Sequence, residues 1–168
     1  LDNLKAANKL TPQALLECED EKLELLIKPA GYFRQKTKKI KIFIHWFLIE
    51  KKADLVGLKN EKTESLRKEL LSLWGIGPET ADAILCYALE HPVFVNDAYT
   101  IRILSRHGLV DKTAKYDHVT DLANATLPKD LDYLKEAHAL FVSTGKHFCH
   151  KKKPDCSGCP LNKYPKEI

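Results

Sequence analysis

The sequence contains no methionine, no long apolar run, and almost none of the apolar–polar alternation that marks half-buried strands. The missing methionine leads us to expect that Leu1 is an internal starting point and that helices upstream of it are missing. No stretch approaches the roughly 20 consecutive apolar residues a membrane helix needs, so no membrane partner is expected. The opening Leu-Asp-Asn-Leu-Lys lacks the basic-then-apolar pattern and the cleavage site of a signal peptide, which points to a cytoplasmic protein. Strand-like alternation is confined to Val93-Phe94-Val95, too short to count, and the fold expected is all-α. With 44% hydrophobic and 30% charged residues, 7 Gly and 8 Pro among 168, the composition excludes disorder, collagen and coiled coil.

The charge present is unevenly placed. The net charge is +4, and residues 146–168 alone carry +4, so the first 145 residues sum to zero. Within those, Arg34, Lys36, Lys38, Lys39 and Lys41 give +5 with no acid among them. Two basic patches on a near-neutral body suggest a polyanion partner, although two solvated surfaces would give the same count.

Helix punctuation recurs along the chain. Thr11-Pro12 supplies an N-cap followed by proline at the first helical position, and two short amphipathic pieces continue to Pro29. A helix is expected from Phe33 to about Ile49, its apolar stripe buried and its preceding lysines exposed. Others are expected over 63–73 and 78–89, opening near Asp97, over 117–125, and over 130–144. Cys18 and Cys86 fall in apolar helical patterns and read as small core residues.

Between two of these helices lies Leu73-Trp74-Gly75-Ile76-Gly77-Pro78-Glu79-Thr80. Gly75 and Gly77 can take positive φ and lack Cβ, so backbone amides can come close to a ligand, and Pro78 is preset for the next helix. A helix N-terminus beside a glycine turn suits a phosphate, though Gly-x-Gly alone is equally a plain turn. Asp97 follows an apolar run and opens a helix; an N-cap is its simplest role, and a helix N-terminus also keeps a carboxylate ionised.

The segments LRKELLSLWGIGPETADAILCYAL and VFVNDAYTIRILSRHG together resemble the helix–hairpin–helix and aspartate loop of the endonuclease III family of DNA glycosylases. PAGYFRQKTKKI is similar to the family's upstream glycine-aromatic-lysine segment, and the C-terminal cysteines lie where the family carries its iron–sulfur loop. The resemblance covers essentially the whole chain and is nearest to the 3-methyladenine type. It implies an all-α helix–hairpin–helix glycosylase fold with a C-terminal cysteine loop, and a monomer acting on double-stranded DNA that contains a damaged base, associated with the nucleoid if the source is prokaryotic.

By the same resemblance Asp97 is the catalytic aspartate. Gly75, Ile76, Gly77 and Thr80 of the hairpin, with Lys146, Lys151 and Lys152, are the expected DNA contacts. Cleaving an N-glycosidic bond passes through an oxocarbenium-like state that a carboxylate stabilises while it orients or deprotonates water. Bifunctional members carry a lysine in the hairpin that forms a Schiff base and cuts the strand. Here that slot is Glu79, which has no amine, so the implied enzyme is monofunctional. Trp74 stands where the pattern usually has proline and is expected to pack the hairpin against the core, in preference to stacking on a base. Asn96 stands where an apolar residue is usual, and Tyr32, Phe33 and Tyr99 are possible pocket residues.

Five cysteines in a chain without a secretion signal argue for ligation rather than disulfides. Cys149, Cys156 and Cys159 match the first three ligands of the family's loop, which holds a 4Fe–4S cluster, but the fourth slot is Pro165. A cluster with a non-cysteine or external fourth ligand, a Cys3His zinc site using His147 or His150, and a metal-free loop all remain open. The motifs divide the chain into N-terminal helices (1–30), a helical core with the hairpin at about 65–90 and the Asp97 loop (31–125), and a C-terminal helix with the cysteine loop (126–168). The implied function is excision of a damaged, alkylated base. The alternatives are an endonuclease III-type enzyme with lyase activity from another lysine, and a non-catalytic DNA-binding module.

Overall fold

The computed structural model describes residues 1–166; residues 167 and 168, the end of the C-terminal partition, lie outside them. The regular elements among the described residues are all helices, without a strand, and none of these helices is long and apolar enough to cross a membrane. The chain divides into two compact units, Leu1–Gly77 and Pro78–Ile168.

The first unit contains α1 (Asp2–Ala6), α2 (Pro12–Leu16), α3 (Asp20–Ile27), α4 (Phe33–His45), α5 (Leu55–Asn60) and α6 (Thr63–Ser72). Helix α2 starts as the sequence dictates: the Thr11 side chain accepts from the Ala14 N–H and Pro12 fills the first turn. Cys18, Leu23 and Ile27 form a buried cluster joined by Leu15, Phe33 and Ile40, so α2 and α3 bury their apolar stripes against α4. At its end α4 widens into a π turn, Trp46–Glu50, which carries the fully buried Trp46. Neither α1 nor α5 was foreseen; α5 is capped by Asp54, whose Oδ1 accepts from the Gly57 N–H at 2.8 Å.

Three of the five cations in the basic run 34–41 are directed at the protein itself. Lys41 Nζ donates to the Leu16 carbonyl at 2.6 Å and to the Cys18 carbonyl, where α2 ends and α3 begins. Lys36 Nζ donates to the Ala30 carbonyl at 2.5 Å, and Arg34 lies 3.7 Å from Glu24. Lys41 ties α4 to the C-terminal end of α2, where a cation is favoured. The run expected to be a solvated helix end is therefore partly a structural staple.

The second unit contains α7 (Pro78–Ala83), continued by a π turn Ile84–Ala88, then α8 (Ala98–Arg106), α9 (Tyr116–Thr126) and α10 (Leu131–His147). Asp130 caps α10 by accepting from the Tyr133 N–H at 2.8 Å. Phe94, Ala123 and Leu134 form its buried cluster, with Phe141 edge-on to Phe94. Helices α8 and α10 approach closely because Gly145 has no side chain: a Cβ there would lie 2.3 Å from Tyr99 Cδ1. Arg102 locks the contact, stacking over the Tyr99 ring and donating to the carbonyls of Cys149 (2.8 Å) and Gly145 (3.3 Å). Cys18 and Cys86 are both buried, as their apolar contexts indicated.

Candidate active site

The turn between α6 and α7 takes its shape from one glycine. Gly75 has φ +88°, a region that favours glycine, and a Cβ there would lie 2.5 Å from Lys39 Cγ. The turn is closed by the Ile76 N–H, which donates to the Leu73 carbonyl at 3.0 Å. Gly77 differs from its expected role, having no positive φ and open space where a Cβ would stand. Glu79 and Thr80 are exposed on the first turn of α7. Trp74 corrects its expectation: it is 57% exposed and borders a polar depression formed with Asp20, Lys38 and Lys41. The bend that Gly75 makes leaves the preceding ring outside the buried cluster.

Asp97 sits at the N-cap of α8 and is buried. Its Oδ1 accepts twice from Thr100, from the N–H at 2.8 Å and from the hydroxyl at 3.0 Å. The other oxygen, Oδ2, faces His138 Nε2 of α10 at 3.9 Å. On its far side His138 Nδ1 lies 2.6 Å from the Tyr87 hydroxyl, in the π turn after α7. Burial pushes the Tyr87 phenol above its ordinary value, and its interactions with Cys86 and Asp97 push it the same way. Burial likewise raises the Cys86 thiol. Helix-start chemistry located Asp97 in the sequence. Tyr87 and His138 were missed, because their meeting spans 51 positions and no local spacing registers it.

Asn96, beside the aspartate, is fully buried; its Nδ2 donates to the Tyr116 carbonyl at 2.9 Å while its Oδ1 has no partner among the described residues. The Tyr116 hydroxyl in turn donates to Asp82 at 2.6 Å. Of the aromatic candidates, Phe33 joins the cluster of the first unit, Tyr99 lies under Arg102, and Tyr32 is 85% exposed.

The cysteine loop follows α10. Cys149, Cys156 and Cys159 line one small cavity with Arg106 and His107, against apolar walls that include Phe148 and Leu161. Arg106 Nη1 donates to the Cys149 Sγ at 3.2 Å and to the His150 carbonyl at 2.8 Å, while Nη2 donates to the Lys151 carbonyl at 2.9 Å. Neither His147 nor His150 lines the cavity; His107 does, with its Nδ1 2.6 Å from the carbonyl of Pro165. Among the described residues, however, no group of three or more His, Cys, Asp or Glu side chains is placed to hold a metal ion. The three thiols thus share one cavity without being gathered into a ligand set, and position 165 supplies only a backbone carbonyl. Lys146, Lys151 and Lys152 are exposed around this loop.

One helix therefore serves both features: α8 presents Asp97 at its first turn and grips the cysteine loop with Arg102 and Arg106 towards its last. Residues 1–129 match the family model described as the HhH-GPD superfamily base excision DNA repair protein. A protein of Methanocaldococcus jannaschii named "Putative DNA repair glycosylase MJ1434" is 41% identical over 98% of this chain and 74% of its own length. An endonuclease III solved in a non-covalent complex with DNA superposes with a TM-score of 0.77 over 98% of this chain and 73% of that one, at 23% identity, a likeness of fold. A 3-methyladenine DNA glycosylase from H. pylori, solved bound to 1,N6-ethenoadenine, gives a TM-score of 0.71 at 27% identity, over 86% of this chain and 74% of that one.

Proposed function

Because the chain belongs to the HhH-GPD superfamily of base excision DNA repair proteins, we propose that it is a monofunctional DNA glycosylase that hydrolyses the N-glycosidic bond of an alkylated base in duplex DNA. The observation that carries this reading is the division of labour on Asp97. Thr100 holds Oδ1, while Oδ2 lies on the side of His138, so the carboxylate is fixed in orientation and keeps one oxygen for chemistry.

The reaction follows from that geometry. A flipped-out nucleotide brings C1′ to Asp97, and cleavage builds positive charge on the sugar. The ionised carboxylate, supported by the N-terminus of α8, stabilises that charge. A water oxygen bonds to C1′, the C1′–N bond breaks with its electron pair leaving on the base, and a water proton passes to Oδ2. The products are the free base and an abasic site. Glu79 offers no amine to C1′, so the Schiff-base route to strand cleavage does not run through this slot. An alkylated substrate is favoured by the likeness to the 3-methyladenine glycosylase.

Duplex DNA is held by phosphate contacts at Gly75, Ile76, Gly77 and Thr80 and by Lys146, Lys151 and Lys152, each cation adding to the salt sensitivity of binding. For the cysteine loop we favour a 4Fe–4S cluster on Cys149, Cys156 and Cys159 with a non-cysteine or external fourth ligand, over zinc. Such a cluster would supply no step of the reaction; it would clip the loop that presents the lysines.

The test is duplex DNA containing 3-methyladenine. The protein is expected to release the base and leave the backbone intact until alkali is added, and Asp97→Asn to stop the release. Direct nicking with a borohydride-trapped protein–DNA adduct supports a lyase acting through another lysine. Binding without base release supports a DNA-binding module.

A further inference from the structure

Tyr87, His138 and Asp97 come from three separate elements, the π turn after α7, helix α10 and the N-cap of α8, and stand in line. None was paired with another in the sequence. The Tyr87 hydroxyl and His138 Nδ1 are 2.6 Å apart, a full hydrogen bond; His138 Nε2 and Asp97 Oδ2 are 3.9 Å apart, beyond one. His138 thus has one ring nitrogen engaged and the other turned toward a carboxylate it does not directly touch.

Resting on the glycosylase reading above, we propose that His138 is a positioning residue for the reaction: oriented by Tyr87, its Nε2–H holds the attacking water against Asp97 Oδ2. A phenol is protonated at neutral pH and is the donor in its bond to Nδ1. An Nδ1 that accepts leaves the ring proton on Nε2, pointing at Asp97. At 3.9 Å the two atoms stand too close for a water in line between them, so the water sits to one side, with bonds of about 2.8 Å to each, accepting from Nε2–H and donating to Oδ2. That water keeps one lone pair free. When the lone pair bonds to C1′ the water proton already faces Oδ2, and the C1′–N electron pair leaves on the base. Asp97 Oδ1 takes no part, because both Thr100 donors occupy it.

Three variants and one spectrum test this. His138→Leu removes the donor, His138→Gln keeps an N–H near the place of Nε2, and Tyr87→Phe removes the orienting hydroxyl. Single-turnover release of 3-methyladenine is expected to fall about 100-fold in His138→Leu with duplex affinity unchanged, and to recover to within about tenfold of wild type in His138→Gln. In Tyr87→Phe it should fall about tenfold. Nitrogen-15 NMR of the His138 ring should show the proton on Nε2 in the wild type and a mixture of tautomers in Tyr87→Phe. Release by His138→Leu at the wild-type rate, equal losses in the Leu and Gln variants, or a ring protonated on Nδ1 would each overturn the proposal. If the wild type itself releases no base from the duplex, the glycosylase reading fails and the water-holding role fails with it. A proton on Nε2 in that same protein would then locate the fault in the function and not in the geometry.

Discussion

Asp97 Oδ1 accepts both the Thr100 N–H and the Thr100 hydroxyl, at 2.8 and 3.0 Å. The same carboxylate therefore starts α8 and, in the proposed reaction, carries the charge. These two roles separate by substitution. Asp97→Asn keeps an oxygen for the Thr100 donors and should change stability by less than about 1 kcal/mol, because Asn caps about as well as Asp. Base release should fall by at least about 100-fold, the scale of a lost electrostatic or general-base group. Asp97→Ala should lose the cap as well, by about 0.5–2 kcal/mol. Thermal melts set beside single-turnover base release check the pair; an unstable Asp97→Asn protein would mean the two roles are not separable.

The hairpin glycines give a second contrast. Gly75→Ala meets both a positive φ of +88° and Lys39 Cγ at 2.5 Å, and should destabilise by roughly 1–2 kcal/mol. The flexible lysine gives way, so the backbone conformation makes the larger part of that loss. Gly77→Ala has open space and no such strain. Its stability should hold, and any loss of duplex affinity must come from a Cβ between the turn and a phosphate. Melting curves and salt-dependent duplex binding distinguish the two.

The cysteine loop makes a prediction of colour. Protein purified without oxygen should be brown, with visible absorbance lost in Cys156→Ser. Arg106→Gln should weaken the same absorbance, since it removes the guanidinium that reaches Cys149 Sγ at 3.2 Å and two loop carbonyls. A colourless preparation holding zinc replaces the cluster reading with the zinc one.

What was legible in the sequence was local. Thr11 and Asp97 announce helix starts because a side-chain oxygen followed by helical residues has few other uses, and both cap as expected; Asp130 caps the helix expected over 130–144. Helices α1 and α5 escaped notice at 5 and 6 residues, too short to show an apolar period. The π turns at Trp46–Glu50 and Ile84–Ala88 left no trace, since widening a turn alters no residue type. Charge counting saw a basic run at 34–41 but not that Lys41 turns inward onto the Leu16 and Cys18 carbonyls. The cap at Asp97 is written in its neighbours; the meeting of His138 with Tyr87 and Asp97 is not, because it joins residues far apart along the chain.

The pH dependence of stability is set in part by a carboxylate outside the site. Lys51 lies 2.7 Å from Glu69 and 3.1 Å from Glu61, and the Trp46 indole donates to Glu69 at 3.0 Å. Burial alone would raise Glu69, but the hydrogen bonds from Lys51 and Trp46 outweigh it and hold the carboxyl below its ordinary value of 4.5. A depressed folded value means the native state favours the charged form. The stability it contributes is complete above about 4.5 and is lost as pH falls through the lower, folded value. Glu69→Gln should therefore cost about 1 kcal/mol at neutral pH, a modest figure because 34% of the Glu69 side chain is exposed. As pH falls through the folded value the gap between variant and wild type should close, because protonated Glu69 has lost the same charge. Urea titrations at pH 7 and at successively lower pH test this; a gap that persists unchanged into acid would mean that Glu69 acts through packing on Trp46 and not through its charge.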